Sequence, residues 1–174
     1  LDGDNRSWQF DAMFAPRADG DRPRMRLVEL AEQYLDELRE DHRANNVAAK
    51  TTKKREANVA YLLEAIGSDT VVAEIDYNTA QKLRQTLNVT PANRSKKYKG
   101  ASLEKAIEKA EQDNADRMEH LTQLAYISEF KKLMSFAVRT RLIQSNPAED
   151  LKPLKRDTVP RHMKRQPLSP EQLI

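Results

Sequence analysis

A chain of 174 residues with 39% hydrophobic and 33% charged side chains is one domain's worth of protein, with a core built from narrow apolar stripes on helices rather than from continuously apolar strands. Without cysteine it has no disulfide or thiolate metal site, its three histidines lie too far apart in sequence to suggest a metal site, and no apolar run approaches the ~18 residues needed to span a bilayer. The net charge of +3 does not by itself indicate nucleic acid, so the distribution of the cations has to decide that question.

The amino terminus lacks the basic-then-apolar order of a signal peptide, so a cytoplasmic protein is expected, and its first residue, Leu1 rather than Met, suggests a fragment of something longer. Residues 1–25 read as an irregular leader of Asp, Gly, Arg and Pro whose aromatic cluster, Trp8, Phe10 and Phe14, is expected to pack onto the domain. From Arg26 to Arg39 the spacing of Leu27, Leu30, Ala31, Tyr34, Leu35 and Leu38 predicts a first helix. The period is lost over 41–49. Thr51 or Thr52 is then placed to cap a second helix that runs to Ile66, with Val59, Leu62, Leu63 and Ile66 inside and Gly67 as its stop. Lys50, Lys53, Lys54 and Arg55 crowd the first turn of that helix. Cations at the positive end of a helix dipole are locally unfavourable, and a phosphate there would reverse the sign; the competing reading is a solvated basic turn.

Val71 to Ile75 is a short apolar run, after which Asp76 caps a third helix with Ala80, Leu83 and Leu87 inside. Beyond Pro91, residues 93–100 form a polar loop with four cations, Arg94, Lys96, Lys97 and Lys99, and no acid, a composition expected to be disordered or bound to something negative. Ser102 is a candidate cap for a weakly amphipathic helix from Leu103 to Met118. Glu104, Glu108, Glu111, Asp113 and Asp116 make this the acidic part of the chain, expected to face solvent away from any DNA.

From Thr122 to Leu151 a long helical pattern carries two opposed faces and breaks at Asn146-Pro147. Ile127, Phe130, Leu133, Met134, Ala137 and Val138 form the core face; Ser128, Lys131, Lys132, Ser135 and Arg139 form a polar stripe with only Glu129 nearby to offset it. After Leu151, residues 152–174 make a basic linker that includes Lys152, Lys155, Arg156, Arg161, Lys164 and Arg165.

The order Phe136-Ala137-Val138, Leu142-Ile143, two polar residues and Asn146-Pro147-Ala148-Glu149 resembles the last helix of the core-binding domain of phage-type integrases, the tyrosine recombinases. The earlier succession of Gly67, Asp69, Ile75-Asp76 and Pro91 is similar to the same domain, and Leu168 to Leu173 resembles the point where the integrase catalytic domain begins, with Ser169 as a helix cap. The resemblance implies an all-α fold, a small orthogonal bundle of four to five helices (SAM-like) over 26–151, linked to a catalytic domain outside this sequence. It implies double-stranded DNA at the core recombination site as partner, tetramers on DNA in a full-length protein, and no cofactor, metal, membrane or small-molecule substrate. By that likeness the second helix would touch DNA through Lys50, Thr51, Thr52, Lys53, Lys54 and Arg55. The last helix would do so through Thr122, Ser128, Lys131, Lys132, Ser135 and Arg139. Arg94, Lys96, Lys97 and Lys99 of the loop, with Lys155 and Arg156 of the linker, complete the candidate set. Leu124 stands where the family often has asparagine and Arg141 where it often has glycine.

No catalytic residue is expected in this chain. Acid pairs such as Asp36-Glu37 and Glu149-Asp150 are adjacent and diverge on a helix, there is no glycine-rich phosphate loop, and Tyr34, Tyr61, Tyr77, Tyr98 and Tyr126 read as packing or surface groups. The competing function is a helical protein–protein interaction module with a solvated basic face. Exposed apolar residues on the polar stripe would favour that module; a continuous positive face joining Lys53, Lys97 and Lys131 would favour DNA.

Overall fold

The structure, a computed structural model, describes residues 24–154. Most of the leader, and Lys155 and Arg156 with the rest of the tail, therefore lie outside the described residues. Among those described there are six α-helices and one 3-10 turn, with no strand, so the chain is an all-α bundle. No helix among them is long and apolar enough to cross a membrane.

Helix α1, Leu27–Ala44, starts where the spacing predicts and buries Leu27, Leu30, Ala31, Tyr34, Leu38 and His42. Its start is fixed by Glu29, whose carboxylate accepts the Arg26 backbone N–H at 2.8 Å and the Arg26 guanidinium at 3.3 Å. Helix α2, Ala49–Ile66, begins at Ala48 with no side-chain cap, which corrects the expectation that Thr51 or Thr52 caps it. The first-turn N–H of Thr51 donates to the Ala48 carbonyl at 2.8 Å, while Thr52 Oγ1 lies 2.8 Å from His42 Nδ1. Thr52 is thus a cross-helix tie that sits inside the helix. The same tie explains why α1 runs past Arg39 to Ala44. At the far end Gly67 has φ +104 and donates to Leu63 O at 3.0 Å; a Cβ there would meet Thr70 Oγ1 at 3.1 Å, so the stop needs glycine.

A 3-10 turn, Val72–Glu74, and a single bridge between Arg26 and Val71 fasten the start of α1 beside the end of α2. Helix α3, Tyr77–Val89, buries Ala80, Leu83 and Leu87 and is capped by Asp76, whose carboxylate accepts Thr79 N at 2.8 Å and Thr79 Oγ1 at 3.0 Å. The basic loop contains a single helical turn, α4, Arg94–Lys97, entered through a left-handed Asn93. Helix α5, Leu103–Gln112, has Ser102 as its cap and ends short of the expected Met118. Its end is a left-handed Asn114, after which Ala92 N donates to Asp116 O and Met118 N to Thr90 O, both at 2.8 Å. That antiparallel pairing uses backbone groups that a longer helix would need.

Helix α6, His120–Arg139, packs against α1, α2 and α3 and carries the centre of the core, with Ile127, Phe130, Leu133, Met134 and Ala137 buried. It ends seven residues before Asn146, earlier than the Asn-Pro break predicts. Arg141, with φ +60, turns the chain, and the N–H groups of Arg141 and Leu142 close on Val138 O and Ala137 O, each at 2.9 Å, the Schellman arrangement. Asn146 then folds the segment back. Its Nδ2 donates to Lys131 O and to Ser135 Oγ at 2.9 Å, and its Oδ1 accepts Ala148 N, so that Leu142, Ala148 and Leu151 close over the core.

Candidate nucleic-acid interface

The candidate surface is built around a buried polar knot. Glu129, which the sequence pattern places beside the cationic stripe as its offset, is 3% exposed and points inward. It accepts Tyr34 Oη at 2.7 Å from α1 and Arg55 from α2, through Nε at 3.1 Å and Nη2 at 3.0 Å. Arg55 Nη2 also closes on Tyr34 Oη, and the guanidinium carbon lies 5.7 Å from the Tyr34 ring centroid. Burial, reinforced by the hydrogen bond to Glu129, pushes the Tyr34 hydroxyl far above its ordinary value and keeps it protonated. One site thereby fixes three helices, and Arg55, expected among the phosphate contacts, has its Nε and Nη2 donors turned to Glu129 and Tyr34.

Outward from this knot, Lys50, Thr51, Lys53 and Lys54 are exposed on a first turn of α2 that contains no acid. On α6, Leu121, Leu124, Ser128, Lys132, Ser135 and Arg139 follow one another at three- and four-residue spacing, and all are exposed. Lys131, Lys132, Ser135, Phe136 and Arg139 line a cleft of about 420 Å³ with Arg55 and with Tyr34, Glu37, Leu38 and Asp41 of α1. Arg139 is ion-paired with Glu37 and lies 5.1 Å from the Phe136 ring centroid. Ser135 receives Asn146. Of the cations that line this cleft, Arg55 and Arg139 are ion-paired, whereas Lys131 and Lys132 form no ion pair among the described residues.

A larger groove of about 1100 Å³ lies on the other flank. Its α2 wall is Ala57, Ala60, Tyr61 and Glu64; its α6 wall is Glu119, Thr122 and Tyr126; the segment from Thr90 to Ser102 closes it. Tyr61 and Tyr126 meet ring to ring with centroids 4.4 Å apart, and Tyr61 Oη shares a 2.8 Å hydrogen bond with Thr90 Oγ1. Burial pushes the Tyr61 hydroxyl up to about 12. The loop that looks acid-free in sequence receives its acid from α2. Arg94 Nη2 donates to both carboxylate oxygens of Glu64 at 2.7 Å, and Glu64 also accepts Leu103 N at 2.7 Å. Arg94 is thus a structural strut, whereas Lys96, Lys97 and Lys99 remain exposed. Lys97 and Tyr98 border a shallow hollow with residues 113–116, and Tyr98 Oη donates to Asp113 Oδ2 at 3.2 Å, so the acidic segment flanks the basic turn.

The structure therefore brings Lys131, Lys132, Ser135 and Arg139 of α6 to one cleft with Arg55 of α2, and sets Thr122 and Arg94 in the larger groove; it does not bring Lys53 or Lys54 to either lining. Sequence reading missed two features. Glu129 sits three residues after Tyr126 and four before Leu133, a position on the inward side of the helix that its charge conceals. Leu121 and Leu124, 39% and 43% exposed, lie on the polar face that the sequence assigns to cations and hydroxyls. Among the described residues no group of three or more His, Asp or Glu could hold a metal ion. No protein-family model matches the chain, and neither does any curated protein or solved structure.

Proposed function

We propose that this chain is a duplex-DNA-binding domain of the kind that phage-type tyrosine recombinases use to hold the core recombination site, acting in the cytoplasm as one half of a clamp. Strand cleavage and exchange would belong to a catalytic domain outside this sequence, and tetramers would form on paired sites. The observation that carries the reading is the Arg55–Glu129 pair, which ties the basic end of α2 to the basic half of α6. Supporting it, Lys131 and Lys132 line one cleft with Arg55, and Lys53 and Lys54 are exposed on the same helical turn of α2 as Arg55. Cations in such a region bind phosphates, position a protein on the duplex and make affinity salt-dependent.

About six phosphate contacts would lose roughly three decades of affinity between low and moderate salt. The test is fluorescence anisotropy of a labelled duplex as salt is raised, with the chain compared with a Lys53→Glu, Lys131→Glu, Lys132→Glu variant. Salt-sensitive binding that the variant loses is the expected result. Binding by neither, at low salt and high protein concentration, removes the DNA reading. A second reading, a helical protein–protein interaction module, is favoured by Leu121 and Leu124, which are exposed on the stripe that should otherwise be polar.

A further inference from the structure

We propose that the larger groove, between α2 and α6, is the docking surface for the leader of this same chain, residues 1–23, and that the leader's aromatic cluster fills it. The groove of about 1100 Å³ is lined by the Tyr61–Tyr126 ring pair and by Met118. Ala57 and Ala60 of its α2 wall are exposed and end at Cβ, which leaves room beside the rings. Apolar surface left facing water in this way is favoured to be covered.

Exit point, reach, rings and charge suit the leader to this groove. Val72 N donates to Met25 O at 2.9 Å, and Leu27 N and Val28 N donate to Thr70 O and Ser68 O, so the chain enters α1 beside the turn that follows Gly67. Glu64, which lines the groove, lies less than one helical turn before that glycine. From Met25 back to Phe14 is 11 residues, which extend to roughly 35 Å, against roughly 27 Å for the whole of α2. The rings can therefore reach any part of the groove. Trp8, Phe10, Met13 and Phe14 are apolar groups that the Asp, Gly, Arg and Pro around them cannot bury alone. The segment from Thr90 to Ser102 that closes the groove carries Lys96, Lys97 and Lys99, all exposed and without an ion pair among the described residues. The leader brings five aspartates to them, Asp11 directly after Phe10. On the α6 wall Glu119 is exposed, and Arg6, two residues before Trp8, supplies the opposite charge.

The test uses the full chain, in which Trp8 is the only tryptophan and there is no cysteine. Trp8 emission should lie at shorter wavelength in the folded chain than in the urea-unfolded one, and the shift should not change on dilution. A nitroxide on the single cysteine of Ser95→Cys, at an exposed position that lines the groove, should quench that emission. One on Gln144→Cys, exposed beyond the far end of α6, should not. Ala60→Glu puts a long charged side chain into the groove from an exposed position; it should keep the far-UV circular dichroism of the unaltered chain and lose both the shift and the quenching. Emission that matches the unfolded chain, or a shift without quenching from position 95, overturns the docking, as does quenching that survives Ala60→Glu. A shift lost on dilution also overturns it and gives the groove to the leader of a second copy. The docking requires no DNA, so none of these outcomes depends on the DNA reading.

Discussion

Arg55 Nε sits 3.1 Å from both carboxylate oxygens of Glu129, and Arg55 and Glu129 are the only side chains through which the basic end of α2 is ion-paired to α6 among the described residues. The pair is partly shielded, with side-chain exposures of 20% and 4%. Breaking a shielded pair from one side strands the remaining charge, which costs about 3–5 kcal/mol where burial is deep and less where water reaches the guanidinium. Glu129→Ala is therefore expected to cost about 3 kcal/mol, and Arg55→Ala somewhat more because it leaves the deeper charge alone. The double variant should lose clearly less than the sum, since neither charge is then stranded. Urea melts of the four chains check this; additive losses would mean that the carboxylate is stabilised without the arginine.

The tie between His42 and Thr52 gives a second prediction. If Thr52 works across the helices, Thr52→Val should cost about 1 kcal/mol through the lost hydrogen bond. Thr51→Ala, at an exposed first-turn position with no capping bond, should stay within about 0.5 kcal/mol. Thermal melts separate the two outcomes. A larger loss at Thr51 than at Thr52 would restore the capping role that the sequence suggests.

The stripes of α1 and α3, the cap at Asp76 and the stop at Gly67 were legible because each depends on neighbours within one turn. The sequence suggests Thr51 or Thr52 as a cap because a hydroxyl near a helix start can satisfy orphan N–H groups; in the fold the buried His42, ten residues before Thr52, takes the Thr52 hydroxyl instead. Arg94, in a stretch without acids, gave no hint of Glu64, thirty residues upstream. Glu129 and Arg55 are seventy-four residues apart, and only packing of α2 on α6 makes them partners. The candidate site was therefore legible only as sets of cations assigned to helices. Which cations remain open to a ligand depended on acids brought from other helices, and no local pattern encodes that.

Arg141 occupies a left-handed conformation, φ +60, at the Schellman end of α6, where glycine is the unstrained choice. Its side chain is exposed and makes no hydrogen bond or ion pair among the described residues. Arg141→Gly is expected to leave the fold intact and raise stability by up to about 1 kcal/mol, the strain of a side chain in this region less the added freedom of the unfolded chain. A chemical melt measures it. Should Arg141→Gly also weaken duplex binding, the strained arginine would be held for contact with phosphate.

Acid should loosen the helix starts first. The backbone N–H of Thr79, with its hydroxyl, holds the Asp76 carboxyl below its ordinary 3.8, and the backbone N–H of Arg26 holds the Glu29 carboxyl below its ordinary 4.5. Because both values are lower in the folded chain than in the unfolded one, the stability they contribute is complete above those ordinary values. It is lost as pH falls through the folded ones. Asp76→Asn keeps an oxygen that can cap α3 and removes the titration. The melting temperature of the unaltered chain should therefore exceed that of Asp76→Asn by a constant margin near neutral pH, and the margin should shrink as the pH falls below 3.8. Glu29→Gln should behave in the same way below 4.5, so a chain carrying both substitutions should show the flattest profile of melting temperature against pH in that range. Margins that stay constant down to the lowest pH at which the chain is folded would mean that these carboxylates gain nothing from their N–H partners.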